Sequence, residues 1–381
     1  MLRSILCIVI VSLSLGSALA ADAPAETLSL FDGKSLHGWT VENQAQIVVE
    51  DELLVLKGGN GLRSDFQYTN FVWHVEWKAL QAEKYDAGLY IRTPAEGMPF
   101  PKNGYQVNLL QDKEGNIGNL PGAASTGLVK RGEWNAFDIT VVGDTVALAI
   151  NGKPAYKAAG LKNARGYIGI QCEVPLGGQY QFRNLQIQEL GFTPLFNGKD
   201  LAGWEGAESA AELCWKAVDG VIQCTGEKGP WLRTAKEYDD FTLRYEYQVS
   251  PGGNSGIYVR VPKDGNHHRK DASEPAAGFE VQVIDDAAPE YKALKDYQYS
   301  ASVYDISGAT PRVCKPAGEW NSMEITCKGQ QVTVQHNGKT VVHITAETHP
   351  LLALRSTKGF LGLQNHSTKV LFRNLRVGPA E

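Results

Sequence analysis

"FTLRYEYQV", Phe241 to Val249, puts Phe241, Leu243, Tyr245, Tyr247 and Val249 on one side of an extended chain. Thr242, Arg244, Glu246 and Gln248 fall on the other. Strict alternation of this length, rich in aromatic residues, predicts a β-strand with one face in a core. "FVWHVEW", Phe71 to Trp77, has the same period. "VTVQHNGKTVVHI" and "VALAINGKPAYK" read as hairpins turning at Asn337-Gly338 and Asn151-Gly152, pairs that accept the positive φ of a two-residue turn. Strands of this length, punctuated by Gly and Pro and with no long helical period between them, predict an all-β fold of jelly-roll sandwiches.

The pattern occurs twice. "LFDGKSLHGW" (Leu30 to Trp39) returns as "LFNGKDLAGW" (Leu195 to Trp204), and "GLYIRTP" (Gly88 to Pro94) as "GIYVRVP" (Gly256 to Pro262). "GEWNAFDIT" (Gly132 to Thr140) returns as "GEWNSMEIT" (Gly318 to Thr326), and "QFRNLQI" as "LFRNLRV". Matching blocks in the same order mean a tandem duplication. The boundaries read as a leader over 1–20, one sandwich over 21–190 and a second over 191–378. In "MLRSILCIVIVSLSLGSALA", an early Arg3, an apolar core and a small-residue ending predict a secretory signal cleaved after Ala20, hence an exported, periplasmic or extracellular product. No segment reads as a membrane span. The net charge of −5 gives no reason to expect nucleic acid as a partner.

Export permits disulfides, and Cys214 with Cys224, or Cys314 with Cys327, lie at spacings that could pair; Cys172 reads as a buried thiol. Trp39 and Trp204 read as core or edge anchors, and the recurring Asn135 and Asn321 as turn residues. The Gly252-Gly253 pair has no following helix and is no phosphate loop.

Comparing the two copies separates residues that packing needs from residues it does not. "GFEVQVIDD" (Gly278 to Asp286) answers to "GYQVNLLQD" (Gly104 to Asp112). The apolar positions persist, while Glu280 becomes Gln106, Gln282 becomes Asn108 and Asp285 becomes Gln111. Asn254 answers to Asp86, and Gln364-Asn365-His366 to Gln171-Cys172-Glu173. The second copy also carries two longer loops, "KDGNHHRKDASEPAA" and a stretch from Ala287 to Pro316 that contains Tyr291, Tyr297, Tyr299 and Tyr304. Long loops beside a central strand are commonly functional, and the tyrosines suit a wall that stacks on a sugar ring. His267-His268 reads as a solvated pair. Glu280, Asp285 and His366 are therefore the catalytic candidates, with Gln282, Arg260, Asn254, Tyr258, Tyr297 and Asn365 as substrate contacts. Arg260 follows Tyr258 with a strand parity that would put both on the cleft face. The first copy reads as an accessory domain.

"PGGNSGIYVR", "GFEVQVIDD", "YQYSASVYDI", "KPAGEWNSMEITC" and "GFLGLQNH", taken together, resemble the 3-keto-disaccharide hydrolase domain family, and the first copy resembles it with weaker motifs. The resemblance implies two tandem concanavalin-like jelly rolls, related in fold to family 16 glycoside hydrolases, and a carbohydrate substrate. Glu280-x-Gln282-x-x-Asp285 keeps the spacing of that family's E-x-D-x-x-E strand with two residues changed, which argues against its two-acid retaining mechanism. A ketone at C3 instead acidifies the C2 proton, so a base could remove it and the enolate expel the C1 substituent, with water then adding to the enone. On that route Glu280 or His366 is the base and Asp285 its acid/base partner; Arg260 or a divalent cation stabilises the oxyanion. No other cofactor is implied. The rival readings are a lectin-like binding module without catalysis and a conventional β-glucanase, since the fold hosts all three.

Overall fold

The computed structural model describes residues 26–95, 104–174 and 179–380; the leader expected over 1–20 lies outside them. The regular secondary structure of the described chain is almost entirely antiparallel strand, in two sandwich-like halves, each with its own hydrophobic core. Among the described residues no helix is long and apolar enough to cross a membrane.

In the first half the strand Leu53–Tyr68 serves both sheets. Its start pairs with Gln46–Glu50 and its end with Trp39–Glu42 and Gly166–Val174. The bend falls at Gly59 and Gly61, whose φ values of +90° and +151° exclude ordinary side chains. In the second half the same path is two strands, Val221–Thr225 and Leu232–Tyr238, one in each sheet. The five-stranded sheet there runs Trp204–Gly206, Leu232–Tyr238, Gly359–Leu363, Asn254–Val261, Phe279–Ile284. The hairpins turn where expected, with positive φ at Asn151, Gly152, Asn337 and Gly338. Trp39 and Trp204 are buried, each donating its indole N–H to the carbonyl of the leucine that opens its repeat block, Leu30 or Leu195. Asn135 and Asn321 each accept the amide of their own hairpin asparagine, Asn151 or Asn337, which confirms their turn role.

Phe241–Val249 sends its apolar face into the second core as the alternation predicts. Its polar face is not left to water. Thr242 and Arg244 are buried as well, because the first half packs across them. The Arg244 guanidinium donates to Glu324 at 2.7 Å, to Glu189 and to the Gln67 carbonyl at 2.6 Å, beneath the rings of Phe66, Tyr68 and Phe192. Glu189 also accepts from Arg376, and Glu324 from Arg165 and Gln335. Burial alone would raise the Glu324 carboxyl, yet Arg244 and Arg165 bring it below its ordinary value. Burial would also raise Glu246, which is instead held down at about 2 by His37 of the first half and by Arg373. The five described cysteines are free thiols, so neither sequence-spaced pair is bridged; Cys224 donates to Asn365 and Cys314 lies beside Tyr247. Burial pushes the Cys172 thiol up to about 11, in keeping with an inert core position.

Removing Arg244 takes one charged donor from each of Glu189 and Glu324 and leaves them Arg376 and Arg165, so Arg244→Ala should cost roughly 1.5–3 kcal/mol in urea unfolding. A loss below 1 kcal/mol, within the usual range of exposed ion pairs, would mean that the halves do not depend on this network.

Candidate active site

Phe279–Ile284 is the last strand of the five-stranded sheet, with Phe279, Val281 and Val283 in the core. Alternation turns Glu280, Gln282 and Ile284 to the opposite face, opposite Tyr258, Gly256 and Asn254 of the neighbouring strand. The inserted loop zips onto the strand's free edge: Tyr304 N donates to the Glu280 carbonyl, Ala301 N to Gln282, and Gln282 N to Ser302, all within 3.0 Å. The covered edge becomes the floor of a cleft of about 360 Å³, walled by the two inserted loops and by Gln364 and His366.

Glu280 is 4% exposed. Its carboxyl lies over Gly256, where a Cβ would overlap its Oε1, so the neighbouring strand must carry glycine there. Burial, with the negative charge of Asp305 adding to it, pushes the Glu280 carboxyl up to about 8. His267 Nε2 stands 3.4 Å from Glu280 Oε2. Since the Gly265 carbonyl can only accept, the 3.0 Å contact at His267 Nδ1 fixes the proton on Nδ1. Burial and the neighbouring His268 and Arg355 lower His267 below its usual range, outweighing the Gly265 bond. Near neutral pH the carboxyl proton therefore stays on Glu280, which faces His267 Nε2. The His267 ring stacks on Tyr258 at 4.6 Å, and Tyr258 Oη accepts from Gln364 Nε2 at 3.2 Å. Gln282 Oε1 accepts from Val283 N at 2.9 Å, which leaves Nε2 as the amide atom available to a ligand.

Several sequence candidates go elsewhere. Asp285 is not a cleft-lining residue: its carboxylate accepts from Gly252 N at 3.0 Å and Ala287 N at 3.3 Å, shaping the turn beside the strand. Arg260 sits at a β-bulge with φ +52°, and the register shift between Tyr258 and Val261 breaks the parity argument. Its guanidinium points away, to the carbonyls of Asp239 and Gly329 and to Asp240. Arg92 of the first half repeats that bulge, with φ +45° and bonds to the Asn163 and Thr69 carbonyls, which marks both arginines as structural. Asn365 ties the Glu227 and Gly229 carbonyls together, and Tyr297 packs edge-on against the lining residue Tyr304 without being one itself. Asn254 and the exposed His366 do line the cleft.

His267 is the residue sequence reasoning missed. Its side chain is 17% exposed and is not part of a solvated pair. The usable signal was its place in a loop that is longer in the second copy. Glu280 is the one acidic residue lining the cleft among the described residues, so two facing carboxylates are not available there. Among the same residues no group of three or more His, Cys, Asp or Glu is placed to hold a metal ion. In the first half the Glu280 position is Gln106, whose amide donates to Gln171 over Gly88.

The model of the 3-keto-alpha-glucoside-1,2-lyase-like domain matches residues 26–188 and again 191–378. A 3-keto-disaccharide hydrolase from Bacteroides thetaiotaomicron is 32% identical over 235 residues, covering 51% of this chain and 80% of that protein. A Parabacteroides distasonis protein provisionally named a glycosyl hydrolase is similar in structure, with 27% identity and a TM-score of 0.41 over 50% of this chain and 94% of that one. A carbohydrate-binding module of Bacillus subtilis aligns at 15% identity and a TM-score of 0.33 over 40% of this chain and 96% of that one.

A carboxyl raised in the folded chain binds its proton more tightly there than in the unfolded chain. The stability it contributes is present below 4.5 and is lost as pH rises through about 8. Glu280→Gln should therefore raise the melting temperature at pH 9, on the order of a few kcal/mol of stability, and change it little at pH 4. An equal shift at both pH values would show that the buried carboxyl carries no such strain.

Proposed function

We propose, from the premise that the chain belongs to the 3-keto-alpha-glucoside-1,2-lyase-like domain family, that its second half cleaves 3-keto-glycosides at the C1–O bond after removing the C2 proton. The observation that carries this reading is the Glu280–His267 pair: one buried carboxyl holding its proton near neutrality on the floor of a cleft, with no second acid facing it. A glycosidase of the two-carboxylate type needs a nucleophile and an acid on opposite sides of the bond. Proton abstraction beside a ketone needs one base of matched pKa and a donor for the enolate oxygen. Glu280, relayed by His267, is the base. The Gln282 amide, anchored through its Oε1, is the donor on the C3 oxygen, in the place first assigned to Arg260. His366 at the cleft rim and Asn254 on the floor contact the sugar. Water adding to the resulting enone would make the net reaction hydrolysis.

The first half, with Gln106 in place of the acid, is an accessory domain that supports the second. Export through the N-terminal leader would place the protein where extracellular glycosides are met.

The test is an assay of the purified protein on 3-keto-glucosides and their unoxidised parents, with and without chelator, in deuterated water. Turnover confined to the oxidised substrates is expected, with C2–H exchanging into solvent and, for a substrate whose leaving group needs no protonation, the rate rising as pH passes about 8. Glu280→Gln should lower kcat/KM by roughly 10²–10⁴-fold. Unchanged turnover in that variant, or cleavage of plain β-glucan, would sink the mechanism; binding without cleavage would leave a lectin-like module.

A further inference from the structure

We infer that His268 is the general acid that protonates the departing alcohol, and that a second hollow beside the cleft receives the leaving group. The inference rests on the reading above, that Glu280 removes the C2 proton.

A hollow of about 630 Å³ opens on the first inserted loop, lined by Asp264, Asn266, Lys270 and Glu274. It shares two lining residues with the cleft, His267 and His268. A substrate filling both spaces therefore crosses the imidazole pair, and the bond between its two parts lies there. The hollow's lining sets carboxylate, amide and ammonium groups among a larger apolar surface, a mix that suits a hydroxylated ring such as a second sugar.

The two histidines, with ring centroids 4.0 Å apart, are held differently. His267 is packed between Tyr258 and Glu280 and faces the base. His268 is half exposed, and its Nδ1 donates to Asp305 Oδ2 at 2.9 Å. That bond fixes the ring and leaves Nε2 as the nitrogen available to a ligand, the arrangement of a histidine oriented by a carboxylate. His268 comes from one inserted loop and Asp305 from the other, so the dyad exists only where the two insertions meet.

The step balances. The base takes the C2 proton, and its electron pair becomes an enolate shared with the C3 oxygen. The C3 carbonyl is restored as C1=C2 forms and the C1–O bond breaks, leaving that bond's pair on the departing oxygen. His268, entering the step with a proton on each ring nitrogen, delivers the one on Nε2 to it, so one proton is gained at Glu280–His267 and one is lost at His268. The products are an enone and a neutral alcohol.

An acid is needed in proportion to how poor the leaving group is. His268→Ala should lower kcat/KM for a 3-keto-disaccharide by roughly 10²–10⁴-fold, but for a 3-keto 4-nitrophenyl glucoside by under about tenfold. Because both numbers come from the same preparation, partial misfolding cancels in their ratio. Asp305→Asn should move the ratio in the same direction by less. Glu280→Gln, by contrast, should depress both substrates alike. Equal losses for both substrates in His268→Ala, or no loss in either, would overturn the assignment while leaving the role of Glu280 standing. A wild-type protein inactive on both would overturn the premise with it.

Discussion

A buried arginine joins the two halves. Arg244 belongs to a strand whose other face fills the second core, and its guanidinium reaches Glu189 and the Gln67 carbonyl across the boundary. Removing so many charged groups from water is costly unless each finds its partner, and here the partners come from both copies. The polar face of the central strand can be buried only with the first half in place. That arrangement turns the sheet holding Arg244 toward its neighbour and leaves the five-stranded sheet, with Glu280, to form the cleft.

The cleft follows the opposite logic. Its floor holds a carboxyl that burial makes hard to ionise, and the chain surrounds it with rings and amides instead of a cation. An arrangement of that kind costs stability and is kept where chemistry uses it. The two insertions complete it, one closing the sheet edge through Tyr304 and Ser302, the other laying His267 over Glu280. The insertions flank opposite ends of Phe279–Ile284 and become neighbours because the second runs back along that strand's free edge.

Most of the fold could be read from alternation, the Asn-Gly turns and the repeat, because each of these depends on local backbone geometry. The site was only partly legible. Glu280 stood out because the first copy does without it. Arg260 was misplaced because a bulge inverts parity, and no periodic rule sees a bulge; its recurrence as Arg92 was the available warning. Asp285 differs between the copies yet shapes a turn, so a difference between copies can mark a changed loop as readily as changed chemistry. His267 depends on a loop's path through space, which no spacing along the chain encodes.

Both halves keep a glycine, Gly88 or Gly256, under the side chain at the site position, and in both a Cβ there would collide with that side chain. The socket fits an amide and an acid equally well, since the two have nearly the same shape. Gain or loss of the acid at this spot is therefore sterically silent: a single-nucleotide exchange between glutamate and glutamine codons could arm or disarm a domain without repacking it. A duplicated chain built this way can specialise one copy without first paying in foldability.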